Sequence, residues 1–555
     1  MFNHRARTIT FAAFLLAVSG VISRLLGLIR DRLLAGHFGA SAELDIYFAA
    51  FRIPDFVYGI LIIGGISVAF LPIFSDYFHK KDEDDSNKEG GEWPREAAEF
   101  VNNLLNSFLL LLVAVCGILA IFTPFIISFI IPGFSPASKE LTIQLTRLMF
   151  LSPIIFGLSS IFSGILQYFD KFLVYSLAPI LYNLGIIFGI VFFVPIFGIY
   201  GLAYGVIAGA LFHLLIQIPA ARASGFRYIF ILNLQHLGLK KVFKLMIPRL
   251  IGTAADNFNL IVITAIASTL AAGSIAIFNF ANNLQYFPIG IVGVSFAVSS
   301  FPVFSRFLAN GQKKEFLENF SSSFRQIMFL VIPISILMFI LRAQAVRLVL
   351  GSGAFDWRDT RLTAACVGIF AFGILANSLI PLLTRAFFSH KDTKTPVTVG
   401  VSSVILNVIF SLLFVYLLKE SALFRDFWAN LLRLQDAGSI EVIGLPLALS
   451  AVAIIQLVFL LFFLFRKTGD LKADEILQSL KKIFIAVIPM AGFTYFAAKI
   501  LAGLVDMQTF GGIFLQTTLA ASVGISVYLL NAFILKSPEI NFIKNSILKW
   551  VKRIS

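Results

Sequence analysis

MFNHRARTITFAAFLLAVSGVISRLLGLIRD (Met1–Asp31) decides how the whole chain is to be read. A basic tip with His4, Arg5 and Arg7 leads into an apolar run of membrane-spanning length, about 20 residues. The run looks at first like a secretory signal, but it continues through Arg24 with no A-x-A cleavage site. It is expected to stay in place as a first helix.

The same pattern recurs along the chain. Apolar runs are centred near Val18, Leu61, Leu112, Phe156, Ile186, Ala208, Ile261, Ile291, Ile332, Phe370, Ile405, Ile455, Pro489 and Val523. Of 555 residues, 58% are hydrophobic and 13% charged, where a soluble protein would carry about 25% charged residues. The 62 phenylalanines suit helices that face lipid tails. The fold class expected is an all-α polytopic membrane protein with about fourteen transmembrane helices.

The connections set the orientation. Basic residues gather in alternate ones, for example Lys80/Lys81, Arg222/Arg227/Lys240/Lys241/Lys244, Lys313/Lys314 and Arg466/Lys467/Lys472. The intervening 195–198, 271–274 and 505–511 carry almost none. The positive-inside rule then places both termini in the cytoplasm. Two basic connections, 342–361 and 419–433, fall outside. In the second, Phe424, Phe427, Trp428 and Leu431 recur at helical spacing, which suggests a short amphipathic helix on the outer surface. His79–Glu96 reads as a solvated inner loop, and 539–553 as a basic amphipathic tail.

An internal repeat organises the spans. SRLLGLIRD (Ser23–Asp31) matches PRLIGTAAD (Pro248–Asp256), and AFLPIFSDYF (Ala69–Phe78) matches SSFPVFSRFL (Ser299–Leu308). The layout expected is a first lobe over 1–230, a second over 231–468, a helix pair over 469–536 and the tail over 537–555. Parallel repeats of this kind enclose a central cavity.

Ionisable groups sit where lipid should forbid them. Arg24, Gly27 and Asp31 share a helical face, as do Arg249, Gly252, Asp256 and Asn259. Asp45, Arg52 and Gly59 form a second stripe, and its repeat counterpart carries Asn279, Asn282, Asn283 and Tyr286. An ionised group at membrane depth costs several kcal/mol unless it faces water or a partner. Four such stripes suggest a polar, cationic chamber, and arginines there suit an anion, above all a phosphate. Other readings stay open. Arg30, Arg32 and Asp55 could snorkel from helix ends, Arg24/Asp31 and Arg249/Asp256 could be packing ion pairs, and the asparagines could be interhelical glue. Asp256 and Asn407 could instead hold a cation.

Other chemistry has little support. The P-loop, H-E-x-x-H and G-x-S-x-G patterns are missing from the sequence, so an enzyme is not expected. Cys116 and Cys366 lie within apolar runs, against a disulfide framework or thiolate metal site. The net charge of +14 is spread between spans, with no compact basic domain for nucleic acid.

The stretch SRLLGLIRDRLLAGHFGASAELDIYFAAFRIPDF (Ser23–Phe56) resembles the opening of the peptidoglycan lipid II flippases, the MurJ/MviN family. AFLPIFSDY, the FP-x-G-x-x-G-V segment (Phe287–Val294) and KDTKTPV (Lys391–Val397) extend the resemblance. It implies the fold of the multidrug/oligosaccharidyl-lipid/polysaccharide exporters: two parallel six-helix lobes around a cavity plus two C-terminal helices with a groove for a lipid tail. The implied cargo is an undecaprenyl-pyrophosphate-linked disaccharide pentapeptide, flipped by alternating access in the cytoplasmic (inner) membrane. Arg24, Arg30 and Asp31 match the family's first-helix cavity motif, and Asp45 and Arg52 match the second. Asn283 stands where the family has an arginine, with Arg249 a candidate to compensate. Asp256 matches a sodium-binding acid of some members, while Ser411 replaces an acid expected near Asn407. No cofactor is expected beyond Na+ or H+ coupling. The partners expected are the lipid-linked cargo, membrane lipids and, as candidates, cell-wall synthesis enzymes. Competing readings are a flippase for another polyprenyl-linked saccharide, a cation-coupled drug exporter, and a membrane scaffold.

Overall fold

The computed structural model describes residues 9–79 and 93–540; the side chains of 9–14, Val68, Pro248, Arg249, 251–253 and Asp256 also lie outside the description. So do the greater part of the loop after His79 and the basic tail beyond Ile540. All regular structure among the described residues is helical. Among the described residues twelve helices are long and apolar enough to cross a membrane: α2 Ala42–His79, α3 Arg95–Ile130, α4 Pro136–Tyr168, α5 Phe172–Phe197, α6 Tyr200–Ala223, α8 Ser274–Ala309, α9 Lys313–Ile340, α10 Trp357–Ser389, α11 Lys394–Glu420, α12 Glu441–Thr468, α13 Ala473–Ala502 and α14 Phe510–Ile534. Two more, α1 Ile9–Phe38 and α7 Leu237–Ser268, have 30 and 32 residues. At about 1.5 Å per residue they too exceed the hydrocarbon thickness, so the expected count of fourteen is compatible with the helices seen. Side chains such as Phe125 and Phe129, 76% and 80% exposed on α3, need lipid around them.

The short amphipathic helix is present over Ala422–Leu432, with Leu423 83% and Phe427 57% exposed. The repeat has a backbone signature as well. α2 widens into π-turns over Tyr58–Ile66 and α8 over Ile289–Gly293. Both lie before the matched prolines Pro72 and Pro302, at similar though not identical offsets, and a third set of π-turns covers Gly189–Phe193 in α5. Such insertions cluster at functional positions in helices.

The chain forms two compact units, 1–275 and 276–555. This division does not follow the repeat: α7, which opens the second repeat, is packed in the first unit. In that unit α5 and α6 meet along glycines. A Cβ on Gly185 would lie 2.2 Å from Gly209 Cα, and one on Gly189 would lie 2.3 Å from Gly205 Cα. In lipid, helices bind by such close backbone approach, because apolar burial gives no advantage there.

An asparagine strap fixes the connection between α6 and α7. Asn102 on α3 donates to Arg227 O (3.0 Å) and accepts from Ile229 N (2.9 Å). Asn103 repeats this double bond with Asn233 O (2.9 Å) and Asn233 N (2.6 Å), and Asn106 donates to Ile231 O (3.0 Å). Side-chain amides thus satisfy the backbone of an extended segment that has no neighbouring strand.

In the second unit the last helix pair is anchored rather than appended. Arg325 on α9 pairs with Glu475 (3.2 Å) and Glu539 (3.3 Å), and Ser479 and Ser537 donate to Glu539. Tyr528 on α14 donates to Phe329 O at 2.8 Å. In the KDTKTPV segment, Asp392 accepts from Lys467 Nζ (2.8 Å), Thr395 N (3.0 Å) and Thr395 Oγ1 (2.9 Å). Burial alone would raise its pKa, but the Lys467 ammonium and the Thr395 bonds outweigh it and hold the carboxyl at about 2.

Two predictions follow from these contacts. Gly185→Ala should lower stability by about 1–3 kcal/mol, because backbone rather than a movable side chain stands in the way. Gly400→Ala, which meets nothing within 4 Å, should be neutral or stabilising by about 0.5–1 kcal/mol; thermal unfolding in detergent compares the two. The Asp392 pKa is depressed, so its stabilisation is complete above the ordinary carboxyl pKa of about 4 and disappears as pH falls through about 2. Asp392→Asn should therefore lower Tm at pH 7 and make progressively less difference on acidification.

Candidate functional site

α2 begins at Ser41, whose Oγ accepts from Leu44 N (3.3 Å), and Glu43 and Asp45 occupy its first turn. From there it runs unbroken to His79, because the glycines and apolar residues after Val57 continue it as π-turns. The stripe Asp45–Arg52–Gly59 thereby keeps one direction, and that direction is α7. Asp45, 3% exposed, accepts from Gly273 N at 2.7 Å in the turn after α7. Arg52, 9% exposed, donates from Nε to Thr264 Oγ1 at 2.6 Å. A Cβ on Gly59 would come 2.6 Å from Asn257 Nδ2. The stripe expected to line an open chamber is closed against α7 in this conformation, as a three-point latch. Gly273 itself has φ +88°, and a Cβ there would sit 2.0 Å from Ala40 O. Only glycine allows this approach, which leaves its N–H aimed at Asp45.

The α1 motif divides between two environments. Asp31 is buried and accepts from Arg30 Nε (3.0 Å) and Nη2 (2.8 Å). Arg30 also reaches Asn183 Oδ1 on α5 at 3.4 Å, and Asn183 Nδ2 returns to Ser23 Oγ at 3.2 Å. Snorkelling is therefore not what Arg30 does; it is held inside the bundle. Arg24 is exposed on a cavity of about 490 Å³, in the range of ligand clefts. Ser23, Ser160, Ser163, Gln167 and Tyr175 add hydroxyl and amide groups to its wall. The helical face predicted to carry Arg24 and Asp31 together thus presents only the arginine to open space. Asp55 is not at a helix end, as the snorkelling reading required, because α2 continues past it; it lines an adjoining cavity of about 220 Å³.

On α8, in the second unit, Asn279 is buried, Asn282 and Asn283 are half-buried and Tyr286 is 59% exposed. Asn282 Oδ1 accepts from Gln285 Nε2 at 2.9 Å. A cavity of about 540 Å³ lies further along, between α8 and α9, lined by Ser295, Ser299, Ser322, Ser323, Asn319 and Gln326. Asn407 and Ser411 are buried in α11. The side chains of Arg249 and Asp256 lie outside the described residues, and among those described no trio of His, Cys, Asp or Glu is placed to hold a metal. Sequence reasoning missed Asn183, Thr264 and Gly273. Each is an ordinary residue of its segment and gains its role from a partner more than 150 positions away.

Residues 34–516 match the family model described as Lipid II flippase MurJ. A Buchnera aphidicola protein named "Probable lipid II flippase MurJ" is 32% identical over 407 residues, 73% of this chain and 77% of that one. The "Lipid II flippase MurJ" of Burkholderia cenocepacia is 27% identical over 419 residues, 74% and 79% of the two chains. A solved structure described as lipid II flippase MurJ in an inward closed conformation shares the fold. It superposes with TM-score 0.72 at 24% identity, over 94% of this chain and 98% of that one. An inward-facing multidrug transporter of the MATE family gives TM-score 0.63 at 15% identity, over 83% and 99%.

The latch makes its own prediction. Arg52→Ala and Thr264→Val should each destabilise, with a coupling between them of about 1.5–3 kcal/mol, the range for a hydrogen bond to a charged group. Gly59→Val should destabilise by about 1–3 kcal/mol and be partly rescued by Asn257→Ala. Thermal unfolding of the single and double variants measures both.

Proposed function

Because this chain belongs to the lipid II flippase MurJ family, we propose that it carries the undecaprenyl-pyrophosphate-linked peptidoglycan precursor from the inner to the outer leaflet of the cytoplasmic membrane. It is a multi-pass membrane protein. Alternating access supplies the mechanism, and Arg24 is the observation that carries it. A guanidinium facing a cavity among hydroxyl and amide groups is suited to a pyrophosphate joined to sugars: forked N–H donors for the phosphates, hydroxyls for the glycan. Arg30 and Asp31 brace α1 behind it.

The alternating basic connections support a cytoplasmic location for both termini. In that orientation the turn between α1 and α2 and the turn after α7 lie at the outer end. The Asp45–Gly273 bond then closes the outer side, and releasing Asp45, Arg52 and Gly59 from α7 would open it. Freed in the outward state, Asp45 and Arg52 would join the cargo path. On the second unit Asn279, Asn282 and Asn283 would offer the glycan amide groups rather than charge. Arg249 would add the missing cation, and Asp256 with Asn407 would be the place for a coupling Na+. The exposed apolar faces of α13 and α14 would carry the polyprenyl tail.

Complementation of a strain depleted of its own lipid II flippase tests this reading. The wild-type chain should restore growth, and Arg24→Ala, at equal membrane level, should not. Growth with Arg24→Ala would remove that residue from the cargo site. Failure of the wild type despite insertion would point to a different polyprenyl-linked saccharide. Asn283→Arg should be tolerated if that position faces the chamber.

A further inference from the structure

Asp55 is an acid that the latch does not use. It lies one turn beyond Arg52 on α2, and its carboxylate has no hydrogen bond or ion pair among the described residues. It is exposed, and it lines the cavity of about 220 Å³ together with Tyr58, Ser152, Tyr182 and His213. An ionised carboxylate at membrane depth is costly, and here no neighbouring cation lies within ion-pair distance.

The other titratable wall of that cavity is His213 on α6. Its Nδ1 is 2.6 Å from Ser159 Oγ and 3.2 Å from Gln217 Nε2. Gln217 donates to Ser159 Oγ at 2.7 Å and accepts from Ser163 Oγ at 2.9 Å. Ser159 and Gln217 are completely buried. This network occupies one ring nitrogen and leaves Nε2 with no protein partner among the described residues. His213, Tyr58, Phe156 and Pro179 also line the larger cavity that holds Arg24. The two spaces therefore meet at an imidazole and a phenol.

From these placements we propose that Asp55 and His213 form a proton-binding site inside the first unit, coupling proton movement to cargo movement. The carboxylate takes up a proton and becomes neutral; in the His213 tautomer whose Nδ1–H donates to Ser159 Oγ, the Nε2 lone pair is open, and passing the proton to it restores the carboxylate and makes an imidazolium. No other bond changes, and the net charge of the site rises by one on uptake. One carboxylate and one imidazole suit a proton, whereas a divalent cation needs about six oxygen ligands. The groups acting on Asp55 are Arg52, Tyr47 and Tyr58 on its own helix, Arg30 on α1, and Tyr182 on α5. Arg30 is engaged by Asp31 and Asn183, and Arg52 by Thr264. α4 contributes the neutral Ser152; α7 contributes Thr264, its Arg249 and Asp256 side chains lying outside the described residues.

The proton site stands on geometry alone; its coupling role rests on the transport reading above. The full-length chain in lipid nanodiscs, in sodium-free buffer, tests the site by pH-difference infrared spectroscopy. A protonated-carboxyl stretch should titrate in the wild type, vanish in Asp55→Asn, return in Asp55→Glu and shift its midpoint in His213→Gln. A band that persists unchanged in Asp55→Asn overturns the site, as does a wild type without one. The second measurement follows lipid II flipping in proteoliposomes with an imposed pH gradient. The wild-type rate should change at least about fivefold, the lower range of site-to-site coupling, and Asp55→Asn should not respond. A wild type indifferent to the gradient, or responsive only to sodium, overturns the coupling. Wild-type liposomes that flip no lipid II under any gradient refute the cargo reading, while the infrared titration still decides the site.

Discussion

A charge within the hydrocarbon layer persists only where another group answers it, and the first unit is arranged around that requirement. Asp45 is answered by a backbone N–H, Arg52 by a threonine hydroxyl, and Arg30 by an acid and an amide. Two of these answers come from α7 or the turn that follows it. The helix that opens the second repeat is therefore bonded to the second helix of the first. A transporter needs such bonds to be breakable. Neutral partners suit this, since separating an arginine from a hydroxyl leaves no opposite charge stranded.

Around the latch the packing is of a different kind. α5 and α6 approach along bare backbone at Gly185/Gly209 and Gly189/Gly205, where no side chain can rotate to make room. Close-packed surfaces of this sort leave little room for sliding. The contrast between a rigid glycine seam and a hydrogen-bonded latch fits a protein in which some elements are carried and others release.

Much of this was legible in the residues. Hydropathy gave the long helices, and the repeated R-x-x-G-x-x-x-D and Pro-x-x-Ser spacings located the repeat, which the π-turns of α2 and α8 then marked in the backbone. The i, i+7 spacing of Asp45, Arg52 and Gly59 correctly gave them a common face. It could not say what that face touches, because Gly273, Thr264 and Asn257 lie some 200 positions further on. Asp55 was misplaced for a local reason. The helix does not end there: through Pro54 and the buried glycines of YGILIIGGI the backbone stays bonded by continuing with π-turns. Arg24 and Asp31 share a helical face by count, but the approach of α5 covers one end of it and leaves the other open.

The asparagine strap also orders events in time. The amides of α3 bond to backbone that follows them by about 125 residues. At ribosomal rates of about 5–20 residues per second, that stretch takes roughly 6–25 seconds to synthesise. During this interval the amides of α3 lack the backbone partners they later bond. Once Asn233 has emerged, Asn102, Asn103 and Asn106 can engage together, and the first six spans are then fastened before α7 has been completed.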